Sequence, residues 1–260
     1  MKALFANKEF NAKHRLGAVN SINWARILAQ TVYYFLSYFH FRAQLPSTDD
    51  IELQYVVPTG NFGDVLAGYY AKKMGLPIGK LVVATNANDI LTRFWRTGKY
   101  EKVDSTVERS SDETNSQTTD SSGVKETLSP AMDILVSSNF ERLLWYLAFE
   151  NAASSGEEEK MKEEACATLD RWMGQMKSNG RVEVPVSVLE TARQDFVAER
   201  ISDQQVRSLC IFFFFPSNFS LYYIKCLIFF FPRPLKPSNH ILKINTFQTH
   251  TLPSAWQLLA

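Results

Sequence analysis

The stretch YVVPTGNFGDVLAGYYAKKMGLPIGKLVVAT, residues 55–85, carries the pattern that decides the fold. A short β-branched run ends at Pro58, a glycine-containing loop follows, and residues 65–74 have the composition of a helix that Gly75 ends. Residues 81–85 (LVVAT) then form a second strand candidate. A strand, a helix and a second strand within about thirty residues make a βαβ unit, whose two strands run parallel. We therefore predict an α/β fold with a parallel sheet flanked by helices.

The loop inside this unit, residues 58–64 (PTGNFGD), has the features of an anion site. A strand that turns through glycines into a helix directs backbone N–H groups outward at the positive end of the helix dipole. Gly60 and Gly63 omit side chains where a phosphate must approach, and they permit positive φ. Thr59 and Asn61 can add side-chain hydrogen bonds.

The residues alone leave a plainer alternative open, because glycine turns between a strand and a helix are common structural connections. Asn61 would then serve as a helix cap. Asp64 favours this alternative, since a carboxylate beside a phosphate is repulsive unless it points away or bonds to backbone.

Upstream, residues 21–41 show apolar residues at helical spacing, and we predict a largely buried helix there. The apolar positions are Ile22, Ile27, Leu28, Val32, Phe35, Leu36 and Phe39. Downstream, further helices are expected at 89–96, 139–150 and 157–176, the last with an acidic start that suits a helix dipole.

Composition divides the chain in two. All 27 acidic residues lie before residue 206, whereas residues 206–260 hold nine of the 19 phenylalanines. Residues 104–123 are almost wholly polar and are predicted to be a disordered loop. Residues 211–231 have the length of a bilayer span, but Pro216 and Lys225 interrupt the run, and we expect no membrane partner.

Charge and cysteine usage exclude several classes of function. The net charge of +1 offers no electrostatic basis for binding nucleic acid. Three widely spaced cysteines exclude a disulfide framework and a CxxC metal site, so we expect no metal and a reducing, cytoplasmic location.

Several separate strings resemble threonine synthases, particularly the fungal type. They are 17–35 (GAVNSINWARILAQTVYYF), 57–81 (VPTGNFGDVLAGYYAKKMGLPIGKL), 84–100 (ATNANDILTRFWRTGKY) and 127–150 (TLSPAMDILVSSNFERLLWYLAFE). Weaker matches at 171–185 and 195–205 extend the same order to about Gln205.

This resemblance implies part of the large domain of a fold-type-II pyridoxal-phosphate (PLP) enzyme in residues 1–205, with 206–260 a non-family tail that is disordered or mistranslated. It implies a lyase that converts O-phospho-L-homoserine and water to L-threonine and phosphate, with PLP as the cofactor. By the same analogy, the residues that contact the cofactor or shape its loop are Gly60, Asn61, Phe62, Gly63 and Asp64. For eight other polar residues, helix or turn capping competes with substrate contact; they are Asn20, Ser21, Asn23, Asn86, Asn88, Asp89, Ser129 and Asp133.

The resemblance also predicts an inactive fragment. Members of the family form a Schiff base with a lysine in an upstream segment that ends Phe-Lys-Asp, and this sequence contains no such segment. The catalytic residue is therefore not identified here. Two alternatives stay open: a related phospholyase acting on another phosphoamino acid, and a non-catalytic remnant.

Overall fold

A computed structural model of the chain describes residues 7–16, 20–43, 51–102, 123–153, 156–207 and 229–234, the last range as backbone only. The helices in these ranges are α1 (Lys8–His14), α2 (Trp24–Arg42), α3 (Gly63–Lys73), α4 (Ile90–Thr97), α5 (Phe140–Glu150), α6 (Glu158–Asn179) and α7 (Val186–Asp195). The strands are β1 (Ile51–Pro58), β2 (Leu81–Thr85), β3 (Lys99–Glu101), β4 (Arg181–Glu183), β5 (Phe196–Arg200) and β6 (Phe229–Pro234). A 3₁₀ helix spans Pro130–Met132.

The main sheet has the order β5-β2-β1-β6. β1 pairs parallel with β2, placing Val56 opposite Val82, and β2 pairs parallel with β5. The predicted parallel sheet flanked by helices is thus confirmed. β6 pairs antiparallel with β1 on its other edge. β5 was not predicted, because its sequence, FVAER, has too few apolar residues to mark a strand by pattern alone.

α3 ends where its sequence predicts. Gly75 has φ +100°, the left-handed conformation that glycine adopts without strain. Its N–H donates to the Lys72 carbonyl at 2.9 Å, and Leu76 N donates to the Ala71 carbonyl at 3.0 Å. These two bonds satisfy carbonyls at the end of the helix and turn the chain back towards β2.

α2 has close to its predicted bounds but not its predicted burial. The Asn23 side chain caps its first turn, accepting from Ala25 N at 2.9 Å. Ile27, Thr31 and Tyr34 are buried on the side that packs against α3. Most of the apolar positions that suggested a largely buried helix are exposed, including Leu28 and Leu36. The expectation of a largely buried helix is therefore wrong for the structure described.

An aromatic cluster fills the core beneath the loop that links β1 and α3. Phe62 lies 5.3 Å from Phe140 and 5.9 Å from Phe196, measured between ring centroids. Phe94 and Trp95 from α4 complete the cluster, the former 4.9 Å from Phe140. Because these rings come from four separate elements, their packing holds the loop against the sheet.

Two predictions fall largely outside the described residues. Residues 103–122 include nearly all of the predicted disordered loop, and residues 208–228 and 235–260 include most of the Phe-rich tail. Within the part of the chain that is described, no helix combines the length and apolar character needed to cross a bilayer.

Candidate anion-binding site

The loop between β1 and α3 begins at Thr59, which is held from within. Its N–H donates to the Ala84 carbonyl at 2.8 Å, and its hydroxyl donates to the Val57 carbonyl at 2.7 Å. The Thr59 hydroxyl, which was predicted as a hydrogen-bond donor to a ligand, therefore already donates within the chain. Thr59 instead anchors the start of the loop to the end of β2.

The carbonyl groups of the next two residues point into the protein. The Gly60 carbonyl accepts from the Ser137 hydroxyl at 2.9 Å, and the Asn61 carbonyl accepts from Asn139 Nδ2 at 2.8 Å and Asn139 N at 3.1 Å. In a trans peptide the C=O and the following N–H point in opposite directions. The N–H groups of Asn61 and Phe62 therefore point away from these partners.

Five successive N–H groups, from Gly60 to Asp64, donate to no protein acceptor within the described ranges. They lie at the N-terminus of α3, where the helix dipole adds positive potential. The Asn61 carboxamide likewise has no hydrogen-bond partner among the described residues. Unused donors and positive potential together are the requirements of an anion site.

A cavity of about 130 Å³ opens beside the loop. Its walls are Ser21, Arg26, Gln30 and the run from Pro58 to Val65. Arg26 is an exposed residue of this lining, and an arginine cation beside the loop favours an anion there.

Arg26 and Gln30 were not among the sequence-predicted site residues. Their sequence signal is weak, because both are polar positions in a helix that has other polar residues, such as Thr31 and Ser37. The packing of α2 against α3 brings them to the loop, and sequence spacing does not reveal that packing.

Asn139 is a third residue that the sequence did not single out for the site. It is fully buried at the start of α5, and its Nδ2 donates to the Ser21 carbonyl as well as to the Asn61 carbonyl, at 2.8 Å each. Arg142 in turn donates to Asn139 Oδ1 at 2.6 Å. Asn139 therefore joins the segment before α2 to the loop and positions both walls of the cavity.

Phe62 differs from its neighbours in the loop because its side chain is buried in the core. Its backbone is left-handed, with φ 63°, and its side chain is 1% exposed within the aromatic cluster. Its ring therefore points away from solvent, and only its N–H is available to a ligand. The positive φ that Gly60 and Gly63 would permit occurs at Phe62 instead, and neither glycine adopts it.

The two glycines serve different purposes. A Cβ on Gly60 would lie 2.9 Å from the Ala131 carbonyl oxygen and 3.1 Å from Met132 Cα, so this glycine admits the 3₁₀ helix. A Cβ on Gly63 would find ordinary contact distances of 3.5 Å or more, to Asn139, Gln30 and Ser21. Close approach of the chain itself is thus a structural reason for Gly60, separate from the predicted approach of a phosphate.

Asp64 lies in the first turn of α3, with Oδ1 buried and unpaired among the described residues. Burial raises the pKa of this carboxyl, and the Tyr34 hydroxyl opposes that effect more weakly. Tyr34 also donates to the Asp64 carbonyl at 2.9 Å. A raised pKa lessens the negative charge that would repel a bound anion.

The other polar residues weighed between capping and substrate contact divide into groups. Asn20 and Asn23 accept from nearby backbone N–H groups, as caps do. Asp89 forms an ion pair with Arg93 at 3.0 Å. Ser21 is the member of the set that lines the cavity.

The remaining members of that set form a compact hydrogen-bond network; they are Asn86, Asn88, Ser129 and Asp133. Asp133 Oδ1 accepts from Asn86 Nδ2 at 2.6 Å and from Asn88 Nδ2 at 3.1 Å, and Asn86 Nδ2 also approaches the Ser129 carbonyl at 3.5 Å. Thr127 donates to the same carboxylate through its N–H and its hydroxyl. These bonds hold residues 127–133 in place, including the 3₁₀ helix that covers Gly60.

The chain is similar to known proteins in sequence and in fold, although no protein-family model matches it. Threonine synthase from Schizosaccharomyces pombe is 54% identical over 205 residues, which are 79% of this chain and 37% of that protein. The crystal structure of yeast threonine synthase superposes with a TM-score of 0.64 at 48% identity, over 80% of this chain and 35% of that one.

A third protein, the PLP-bound threonine synthase of Brucella melitensis, superposes with a TM-score of 0.59 at 37% identity. The match covers 77% of this chain and 35% of that structure. The chain thus spans about a third of the length of the relatives it matches. Over this span, the chain is therefore a homologue of threonine synthases in sequence and in fold.

Proposed function

We propose that the loop from Gly60 to Asp64 holds the phosphate of PLP, and that the chain forms the cofactor-phosphate part of a threonine synthase. The observation that carries this proposal is the row of five unused N–H groups beside a cavity that Arg26 also lines. A relative with a solved structure is described as PLP-bound, which supports the choice of this anion over others.

In this proposal the chain's residues bind and orient, and the cofactor supplies the chemistry. PLP, when bound, acts as an electron sink. The N–H groups of Asn61 and Gly63 would donate to its phosphate, the Asn61 carboxamide would add a side-chain contact, and Phe62 would contribute its N–H only. The reaction of the whole enzyme would convert O-phospho-L-homoserine and water to L-threonine and phosphate.

We further propose that the chain by itself does not catalyse this reaction. The described cavity lining contains an arginine and no lysine. Lys72 and Lys73 occupy the opposite end of α3, where they pair with Asp195 at 2.9 Å and Glu150 at 2.7 Å. Neither amine is placed to form the covalent link to PLP that the family uses.

Titration of PLP and of inorganic phosphate into the purified chain, followed by isothermal calorimetry, tests the proposal. We expect both to bind at one site and to compete, and Arg26→Gln to weaken both by roughly tenfold, the effect of about 1.4 kcal/mol. Arg96→Gln, which removes an exposed arginine from α4, is the matched control and should bind as the parent does.

Absence of binding by both anions would contradict the proposal. So would equal losses in the Arg26→Gln and Arg96→Gln variants, because the cavity would then play no part. The absorbance of bound PLP gives a separate reading: we expect the spectrum of the free aldehyde, without the shift that a lysine Schiff base produces.

A further inference from the structure

A continuous apolar stripe runs along α2, and its first residue, Trp24, stacks on Tyr70 of α3 with 6.3 Å between ring centroids. Its members recur at spacings of four and three, so they lie on one side of the helix. They are Trp24, Leu28, Val32, Leu36 and Phe39, and their exposed fractions lie between 49% and 65%. We call these five residues the outer face of α2.

The side of the same helix that packs against α3 is already in a core. Ile27 is 1% exposed and Tyr34 is fully buried, and both lie on the side packed against α3. A helix that is apolar on two sides is typical of the interior of a larger fold. A contiguous row of large exposed apolar side chains is typical of a surface that another molecule or segment covers.

The length of the relatives indicates what covers this face. The matched region is 37% of the Schizosaccharomyces pombe enzyme, so most of that chain has no counterpart in the match. The string at 17–35, which includes Trp24, Leu28 and Val32, is itself one of those that resemble threonine synthases. The face therefore belongs to the family part of the chain, and its partner is expected in family sequence too.

We propose that the outer face of α2 is a docking surface for the part of a threonine synthase polypeptide that lies outside the matched region. The occupant presents an apolar surface, because none of the five residues of the face carries a charge. The inference rests on homology to threonine synthases and on burial, and is independent of whether the loop binds PLP.

Co-expression tests this proposal. The partner is the Schizosaccharomyces pombe enzyme with its matched region replaced by a flexible linker and with an affinity tag. The full 260-residue chain is produced with it, and no PLP is added. We expect the two to co-purify as a one-to-one complex by light scattering.

The variant Leu28→Glu/Leu36→Glu places two carboxylates in the face and should lower the retained amount by roughly a hundredfold, because burying unpaired charge is costly. Val186→Glu is the matched control: Val186 is 70% exposed at the start of α7, away from the face, and should be retained like the parent. Circular dichroism checks that each variant keeps its helices. If the double variant does not, Val32→Lys replaces it.

Four results would overturn the proposal. The parent chain could fail to co-purify, or the face variants could be retained as well as Val186→Glu. The chain alone could form a dimer that Leu28→Glu/Leu36→Glu dissociates, which would make a second copy the occupant. Finally, co-purification that appears only after deletion of residues 208–260 would assign the face to the chain's own tail.

Discussion

Gly60 is required in the loop because the backbone of another segment lies where a Cβ would be. Its missing Cβ leaves room for the backbone of Ala131 and Met132, and backbone cannot move aside as a flexible side chain can. We expect Gly60→Ala to displace the 3₁₀ helix and to lower the free energy of unfolding by roughly 1–3 kcal/mol. Urea unfolding followed by circular dichroism measures this.

Gly174→Ala is the control for that experiment. A Cβ at Gly174 meets nothing within 4 Å, and the residue lies inside α6. The same substitution there should stabilise the chain by roughly 0.5–1 kcal/mol, because alanine favours helix. A Gly60→Ala variant as stable as the parent would show that the 3₁₀ helix does not rest on this glycine.

Asp64 predicts a pH dependence. Its folded pKa is raised by burial, so the folded chain holds this proton to higher pH than the unfolded chain does. The stability associated with the protonated carboxyl is therefore present at low pH and is lost as pH rises through the folded pKa. We expect Asp64→Asn, which does not titrate, to gain stability relative to the parent as the pH rises from 4 to 7.

Glu158→Gln gives the opposite slope as a control. Its partner Lys162 lowers the pKa of Glu158, so that the parent gains stability as this carboxyl ionises. The variant should lose stability relative to the parent over the same range. Urea unfolding at four pH values distinguishes the two, and parallel slopes would argue against the buried state of Asp64.

The crossing of α2 and α3 depends on a glycine in the middle of a helix. A Cβ at Gly68 would lie 2.6 Å from Tyr34 Cε1, and the Tyr34 ring is held by its hydrogen bond to the Asp64 carbonyl. Helix propensity alone predicts that Gly68→Ala stabilises the chain by about 1 kcal/mol. We expect the contact to dominate and the variant to lose roughly 1–3 kcal/mol.

A double-mutant cycle isolates that contact. In a Tyr34→Ala background the space beside Gly68 is open, so the same Gly68→Ala substitution should become stabilising. Thermal unfolding of the four chains measures the coupling. Equal effects in both backgrounds would mean that the two helices do not meet at this pair.

The edge of the sheet gives a prediction for the molecule as a whole. β6 pairs with β1 from Ile51 to Val56, although residues 206–260 were predicted to lie outside the family fold. We expect a chain that ends at residue 207 to lose roughly 1 kcal/mol or more, since the β1 edge loses its hydrogen bonds. The exposed edge should also increase association, seen as light scattering.

A chain that ends at residue 234 is the matched control, because it keeps β6 and removes only residues 235–260. Its urea midpoint should equal that of the full chain. If the chain ending at residue 207 is equally stable, the original prediction for the tail gains support and the pairing of β6 contributes nothing to the fold.

Much of the site could be predicted because it is local. The turn from β1 through PTGNFGD into α3, and the stop at Gly75, depend on residues within one βαβ unit. The same local residues indicated an anion site and carried the family resemblance. The chain direction of β1 and β2 could also be predicted, because a helix between two strands of one sheet makes them parallel.

The rest required contacts between residues distant in sequence. Arg26 and Asn139 reach the loop only because α2 and α5 pack around it, and the need for Gly60 comes from Ala131, about seventy positions later in the chain. The outer face of α2 has the same apolar spacing as a buried face, so periodicity could not show that it is exposed. Local residues were thus enough to predict the βαβ unit and an anion-binding loop. The surroundings of that loop come from packing, which depends on which surfaces meet and not on the pattern of either one alone.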